Sequence, residues 1–171
     1  FVIDKPAWTI PSTNSPVSII DYSPDGSSVL FSHQLGEITI ASSYDGSILN
    51  TLKTKTQYPI TGAKFHPSEE NVLICASRDG FIYTFNCQTS EQINMTRHLG
   101  SNLLSLAIDS FGENFAIACA DGSIRVYDAE NMQRTKALIK SVNRSSSSTP
   151  NATIYHLIFH PEDSNIILSA S

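Results

Sequence analysis

At 171 residues the chain can bury a real core, and 40% apolar against 16% charged side chains is the composition of a compact fold, which excludes disorder. A net charge of −5, from 11 basic and 16 acidic residues, leaves no electrostatic footprint for nucleic acid or an anionic membrane. No apolar run is long enough to span a bilayer. The three cysteines, Cys75, Cys87 and Cys119, are odd in number and widely spaced, so neither a disulfide framework nor a metal site is expected. Cys75 and Cys119 fall in apolar runs, where a thiol behaves as a small hydrophobe. The expected compartment is reducing and intracellular, cytoplasmic or nuclear.

Taken from the start, Phe1–Asp4 and Ala7–Ile10 read as two strands of a unit entered in its middle, and the missing initiator Met fits a fragment or a processed chain. Trp8 lies in the second of these, as an interface anchor or a packing residue. A four-strand unit follows, with strands expected at Val17–Tyr22, Val29–Ser32, Glu37–Ala41 and Ile48–Leu52. The next repeats the plan at Ile60–Phe65, Val72–Ala76, Phe81–Asn86 and Gln92–Thr96, and a third at Leu103–Ile108, Phe115–Cys119, Ser123–Asp128 and Gln133–Leu138. Ile154–Phe159 and Ile166–Ala170 supply two strands of a fourth. The first three strands of each unit are largely apolar and are expected to be buried. The fourth alternates, as in Gln92-Ile93-Asn94-Met95-Thr96, and is expected to be half-exposed at an outer edge.

Independent landmarks share one period. Val17, Ile60, Leu103 and Ile154 open equivalent strands, at spacings of 43, 43 and 51 residues. Gly36, Gly80 and Gly122 mark the hairpin turn between second and third strands, 44 and 42 residues apart. Asp79-Gly80 and Asp121-Gly122 suit tight turns, because Gly tolerates positive φ and Asp bonds local backbone. Asp25, before Gly26, is read the same way. The extra residues in the last spacing fall in 140–152, where Ser145–Ser148 and Thr149-Pro150 read as a surface loop.

These residues resemble the WD-repeat β-propeller family. The carriers are Ser23-Pro24-Asp25-Gly26, the paired Phe-His-Pro at 65–67 and 159–161, and Asp121-Gly122-Ser123-Ile124-Arg125-Val126-Tyr127-Asp128. Tyr127 stands where the family has Trp, and the second repeat has Phe85-Asn86 there. The resemblance implies an all-β propeller of four-stranded antiparallel blades. About four blades' worth lies in this chain, as part of a seven- or eight-bladed ring. Closure by another chain or a second copy is the alternative. The blades are placed at residues 16–57, 58–100 and 101–140. Residues 1–15 are given to a preceding blade, and 141–171 to the Ser-rich loop and half of a further one. Lacking the family's Trp, the blades should depend on apolar packing more than on a buried polar network.

No phosphate-cradling loop or nucleophile elbow occurs, and no histidine has a partner at metal-ligand spacing. His66 and His160 are repeat-equivalent and so structural, and His156 is expected in a core or interface. No catalytic, cofactor-binding or metal-binding residue is assigned, and no cofactor is expected. Function is expected in loops on a rigid scaffold that docks other proteins or peptides within a multi-subunit complex. The resemblance places docking on the face built from the loops before each first strand and the second-to-third-strand turns. Tyr58, Arg78, Arg97 and His98 are the candidates there, since aromatic and Arg side chains dominate binding hot spots. The alternatives are a propeller-based enzyme, or a ribonucleoprotein or trafficking subunit touching RNA or lipid. The apolar first strands count against the former and the acidic balance against the latter.

Overall fold

The computed structural model describes residues 8–9, 16–97, 101–132, 135–140 and 153–171. Its strands are β1 (Val17–Tyr22), β2 (Ser28–His33), β3 (Glu37–Ser42), β4 (Ile48–Lys53), β5 (Ile60–Phe65), β6 (Val72–Ser77) and β7 (Phe81–Asn86). There follow β8 (Gln92–Arg97), β9 (Leu103–Ile108), β10 (Asn114–Cys119), β11 (Ser123–Asp128), β12 (Thr135–Lys140), β13 (His156–Phe159) and β14 (Ile167–Ala170). They form three four-stranded antiparallel meanders, β1–β4, β5–β8 and β9–β12, and the two-stranded sheet β13–β14. Each sheet is a blade, and the array is a partial propeller. The first strands meet in series, β1 against β5, β5 against β9 and β9 against β13, and so lie innermost.

The period of two along each strand divides its side chains between two neighbours. In β6, Leu73 and Cys75 join Leu30, Ile38 and Ile40 of the first blade, with Tyr83 and Phe85 in the same cluster. The intervening Ile74 and Ala76 join Leu106, Phe115 and Ile117 of the third blade. In β10 the alternate residues Ala116 and Ala118 face Leu157 and Phe159 of the fourth sheet. Each fully buried side chain of this size contributes about 1.5–3 kcal/mol, so the inter-blade layers are where the stability resides. The outer strand β8 keeps a half-exposed pattern, since only one of its sides has a neighbour in the blade.

Polar stitches between blades were not expected from the sequence. The β1–β2 register shifts between Val17 and Ile19, and the β5–β6 register between Ile60 and Gly62. The skipped residues are Ser18 and Thr61. The Ser18 hydroxyl donates to the Ile60 carbonyl at 3.2 Å, and that of Thr61 to the Leu103 carbonyl at 2.9 Å. In β1 and β5 the bulge thus frees one hydroxyl to reach the next inner strand. Gly62 follows Thr61, and a Cβ there would lie 2.5 Å from Leu106 Cβ and 2.7 Å from its backbone nitrogen. Only glycine lets β5 and β9 approach so closely. His66 adds a third link. Its Nδ1 accepts from the Glu69 amide at 2.9 Å, and its Nε2 lies 2.9 Å from the Gly112 carbonyl. The Nε2 position therefore carries the proton and donates to the third blade.

Four expectations change. First, β1 is largely exposed, with Ile20 at 69% and Tyr22 at 62%, because no described element packs against that side of it. Second, β13 starts at His156 where Ile154 was expected to begin it, although Ile154 is still buried. Third, His156 is exposed, because it alternates with the inward-facing Leu157. Fourth, Trp8 and Thr9 lie in no strand. The Trp8 indole instead donates to the Ser43 carbonyl at 2.8 Å and covers Gly46, so Trp8 packs on the β3–β4 turn. The remainder of residues 1–15 and the loop at Ser145–Ser148 lie outside the described residues.

Candidate functional site

Strand register brings three of the four candidate docking residues to one end of the second blade. Ile60 pairs with Ser77, and Phe81 pairs with Arg97. Ser77 and Phe81 flank the β6–β7 turn, which Gly80 closes at φ 93° with its amide on the Ser77 carbonyl at 3.0 Å. One row therefore runs from the innermost strand to the outermost, a span of about 15 Å at the usual strand spacing. Tyr58 precedes this row, Arg78 sits in the turn and Arg97 ends it. The Arg78 amide donates to the Pro59 carbonyl at 2.9 Å, which ties the turn to the loop bearing Tyr58. All three side chains are solvent-facing, with Tyr58 at 54%. The Arg97 guanidinium lies over the Phe81 ring, 5.2 Å from its centroid, which holds it in place without removing it from water. His98 lies outside the described residues.

The support beneath this row is rigid. In the loop before β5, the Thr54 hydroxyl donates to the Thr56 carbonyl at 2.6 Å and lies 3.0 Å from that of Gly36. Gly36 has φ 73° and no room for a Cβ against the Thr56 carbonyl. The Thr56 hydroxyl meets the Tyr83 hydroxyl at 3.0 Å. The buried Tyr83 ring is stacked with Phe81 and Phe85, each at 5.9 Å. Burial first, then the charge of Asp79, raises its hydroxyl above the ordinary tyrosine value, while the Thr56 bond opposes them.

The turn aspartates do not behave alike. Asp25 accepts from the Ser23 hydroxyl at 2.6 Å and the Ser27 amide at 3.1 Å. Those hydroxyl and amide bonds lower its carboxyl to about 2. Asp121 accepts from the Ser123 hydroxyl at 2.6 Å and amide at 3.0 Å, with Gly122 at φ 77°. Asp79 instead has a buried Oδ1 with no hydrogen bond among the described residues, as has the fully buried Ser77 hydroxyl beside it. Among the described residues the second blade's turn is held by the Gly80 amide on the Ser77 carbonyl and by the Arg78–Pro59 link.

At the hub, Asp21 of β1 and Lys64 of β5 pair at 2.9 Å across the first two blades. All three cysteines are free and buried, and burial raises each thiol, that of Cys87 to about 12. They serve as apolar packing and are poor nucleophiles. Among the described residues no three His, Cys, Asp or Glu converge on a metal-sized site, and no helix is long and apolar enough to cross a membrane.

Two stretches, residues 46–86 and 90–128, match the family model described as WD domain, G-beta repeat. Each begins before the outer strand of one blade and ends with the third strand of the next, so the repeated unit of sequence straddles two blades. Among solved structures, the C-terminal WD40 domain of Sif2 aligns over 98% of this chain, with TM-score 0.78 and 19% identity. A chain of the mitotic checkpoint complex aligns over 93%, with TM-score 0.77 and 21% identity. This chain spans 46% and 45% of those two chains, and at such identities what is shared is the fold. As many as 1418 solved chains match, so the likeness points to a widely used architecture and to no one activity. No curated protein sequence matches the chain.

Proposed function

This chain is an arc of a WD-repeat β-propeller, and on that footing we propose that it is a non-catalytic docking platform for other proteins within a multi-subunit intracellular complex, cytoplasmic or nuclear. The carrying observation is the convergence of Tyr58, Arg78 and Arg97 at one solvent-facing end of a blade whose loops are tied to a rigid core. An aromatic ring and two guanidinium groups on a surface that need not reorganise keep the entropic cost of association low. His98, next in sequence to Arg97, is proposed to extend the patch. The same fold in a chain of the mitotic checkpoint complex supports a role inside an assembly.

The ring is proposed to contain seven or eight blades, with residues 16–57, 58–100 and 101–140 as three of them. Residues 1–15 are assigned to a preceding blade and 141–171 to a following one. Uncovered apolar side chains at both ends of the arc support this, Ile20 and Tyr22 on one side and Ile158 and Leu168 on the other. Such faces are covered by the next blade in a closed ring, whether from the same polypeptide, another chain or a second copy.

The test is affinity purification of the tagged full-length protein beside the triple variant Tyr58→Ala, Arg78→Ala, Arg97→Ala. Specific protein partners recovered by the parent and lost by the variant, at unchanged thermal stability, are the expected result. Partners retained by the variant would remove this patch, and turnover of a small molecule at the hub would remove the non-catalytic assignment.

A further inference from the structure

The two faces of the disc differ in charge. Arg78 lies in a turn and Lys55 in a loop of the face just described. The opposite face is built from the turns β1–β2, β3–β4, β5–β6, β7–β8, β9–β10, β11–β12 and β13–β14. Every one of these turns carries at least one carboxylate, and none carries a Lys or Arg among the described residues. Between the first and second blades this face opens into a groove of about 830 Å³. That volume accommodates several side chains. One wall is the β1–β2 turn with Asp25, the other the β5–β6 turn with Glu69 and Glu70. Pro24, Leu49 and Phe65 give the lining an apolar component.

The groove is built to stay open. The Asn50 amide donates across the blades to the carbonyls of Cys87 at 2.6 Å and Gln88 at 2.9 Å, and Asn50 Oδ1 accepts from the Ser90 hydroxyl at 3.0 Å. His66 fixes the far wall by accepting the Glu69 amide. Asp25 is ionised at any physiological pH, since its turn bonds stabilise the carboxylate. The carboxylates of Asp25, Glu69 and Glu70 form no ion pair among the described residues.

We infer that this inter-blade groove docks an extended polypeptide segment carrying Lys or Arg. A long basic side chain matches both parts of the lining, its methylene stem lying along Leu49 and Phe65 and its cation reaching the rim carboxylates. Polyanions such as RNA are repelled by the same rim. Because the groove lies on the face opposite Tyr58, Arg78 and Arg97, the inference stands independently of that docking patch.

The experiment titrates the intact chain into a short fluorescein-labelled peptide of alternating Lys and Ala, with an alternating Glu and Ala peptide as control, and reads anisotropy. Saturable binding of the Lys peptide that weakens with added salt is expected. The double variant Glu69→Gln, Glu70→Gln should weaken it about tenfold. Leu49→Trp, which fills the groove without changing charge, should weaken it as well. Glu113→Gln with Glu162→Gln, on the same face but outside the groove, should leave it within about twofold at unchanged melting temperature. No saturable binding, equal binding of the Glu peptide, or equal losses inside and outside the groove would overturn the inference, the last by reducing it to diffuse attraction.

Discussion

The inner strands of the first and second blades are the same element in two surroundings. Tyr22 and Phe65 occupy equivalent positions, as do Ile20 and Ala63. In the second blade Phe65 is 9% and Ala63 1% exposed, while in the first Tyr22 is 62% and Ile20 69% exposed. Local sequence does not separate the two strands, since both are short, apolar and bulged at the second residue. What differs is the neighbour. The second blade lies between two others, whereas the inner strand of the first has a described partner on one side only. In a radial array a blade is completed by the next one, so burial belongs to the interface and not to the repeat.

Substitutions at matched depths sharpen that contrast. The largest effect is expected at Phe115, fully buried between the second and third blades. Phe115→Ala should cost about 3–5 kcal/mol, while Tyr22→Ala at the uncovered end should stay within about 0.5 kcal/mol. Urea unfolding of both variants measures this. Comparable losses would mean that Tyr22 is covered in solution, which light scattering would register as self-association.

Gly62 tests the close approach of two inner strands. Gly62→Ala places a methyl group against the Leu106 backbone and should cost about 1–3 kcal/mol. Its thermal unfolding midpoint should fall, and an unchanged midpoint would show that β5 and β9 have slack between them. The smallest effect is expected at the stitch. Thr61→Val keeps the side chain's shape and removes the bond to the Leu103 carbonyl, for a loss of about 1 kcal/mol. Hydrogen exchange should then rise at Leu103 and its neighbours in β9, while amides of the outer strand β4 remain as protected as before. A uniform rise would instead mark global destabilisation.

The contrast also bounds what could be read in advance. Strand positions were legible to within two residues nearly everywhere, because an apolar run ended by an Asp-Gly turn encodes a hairpin whatever lies beside it. Three of the four candidate docking residues were legible as exposed loop or strand-end positions. The resemblance implied their common face, but not the row of the ladder through Ile60, Ser77, Phe81 and Arg97 that sets their order across the blade. Gly62 and Thr61 gave no signal, since a glycine and a threonine inside an apolar run look like weak strand residues until the bulge and the next strand are in place. The acidic groove was hidden for the same reason. Asp25 and Glu69 are distant in sequence and become opposite walls only when two blades stand side by side.

The order of residues by itself determined a repeated four-strand unit, its turns and the apolar runs of its strands, because turn chemistry and alternation act within a few residues. Which apolar faces were covered, which hydroxyls found carbonyls, and where charge gathered around a cavity were decided only by tertiary structure. Those properties belong to contacts between units some 43 residues apart, and the geometry of neighbouring sheets has no local code.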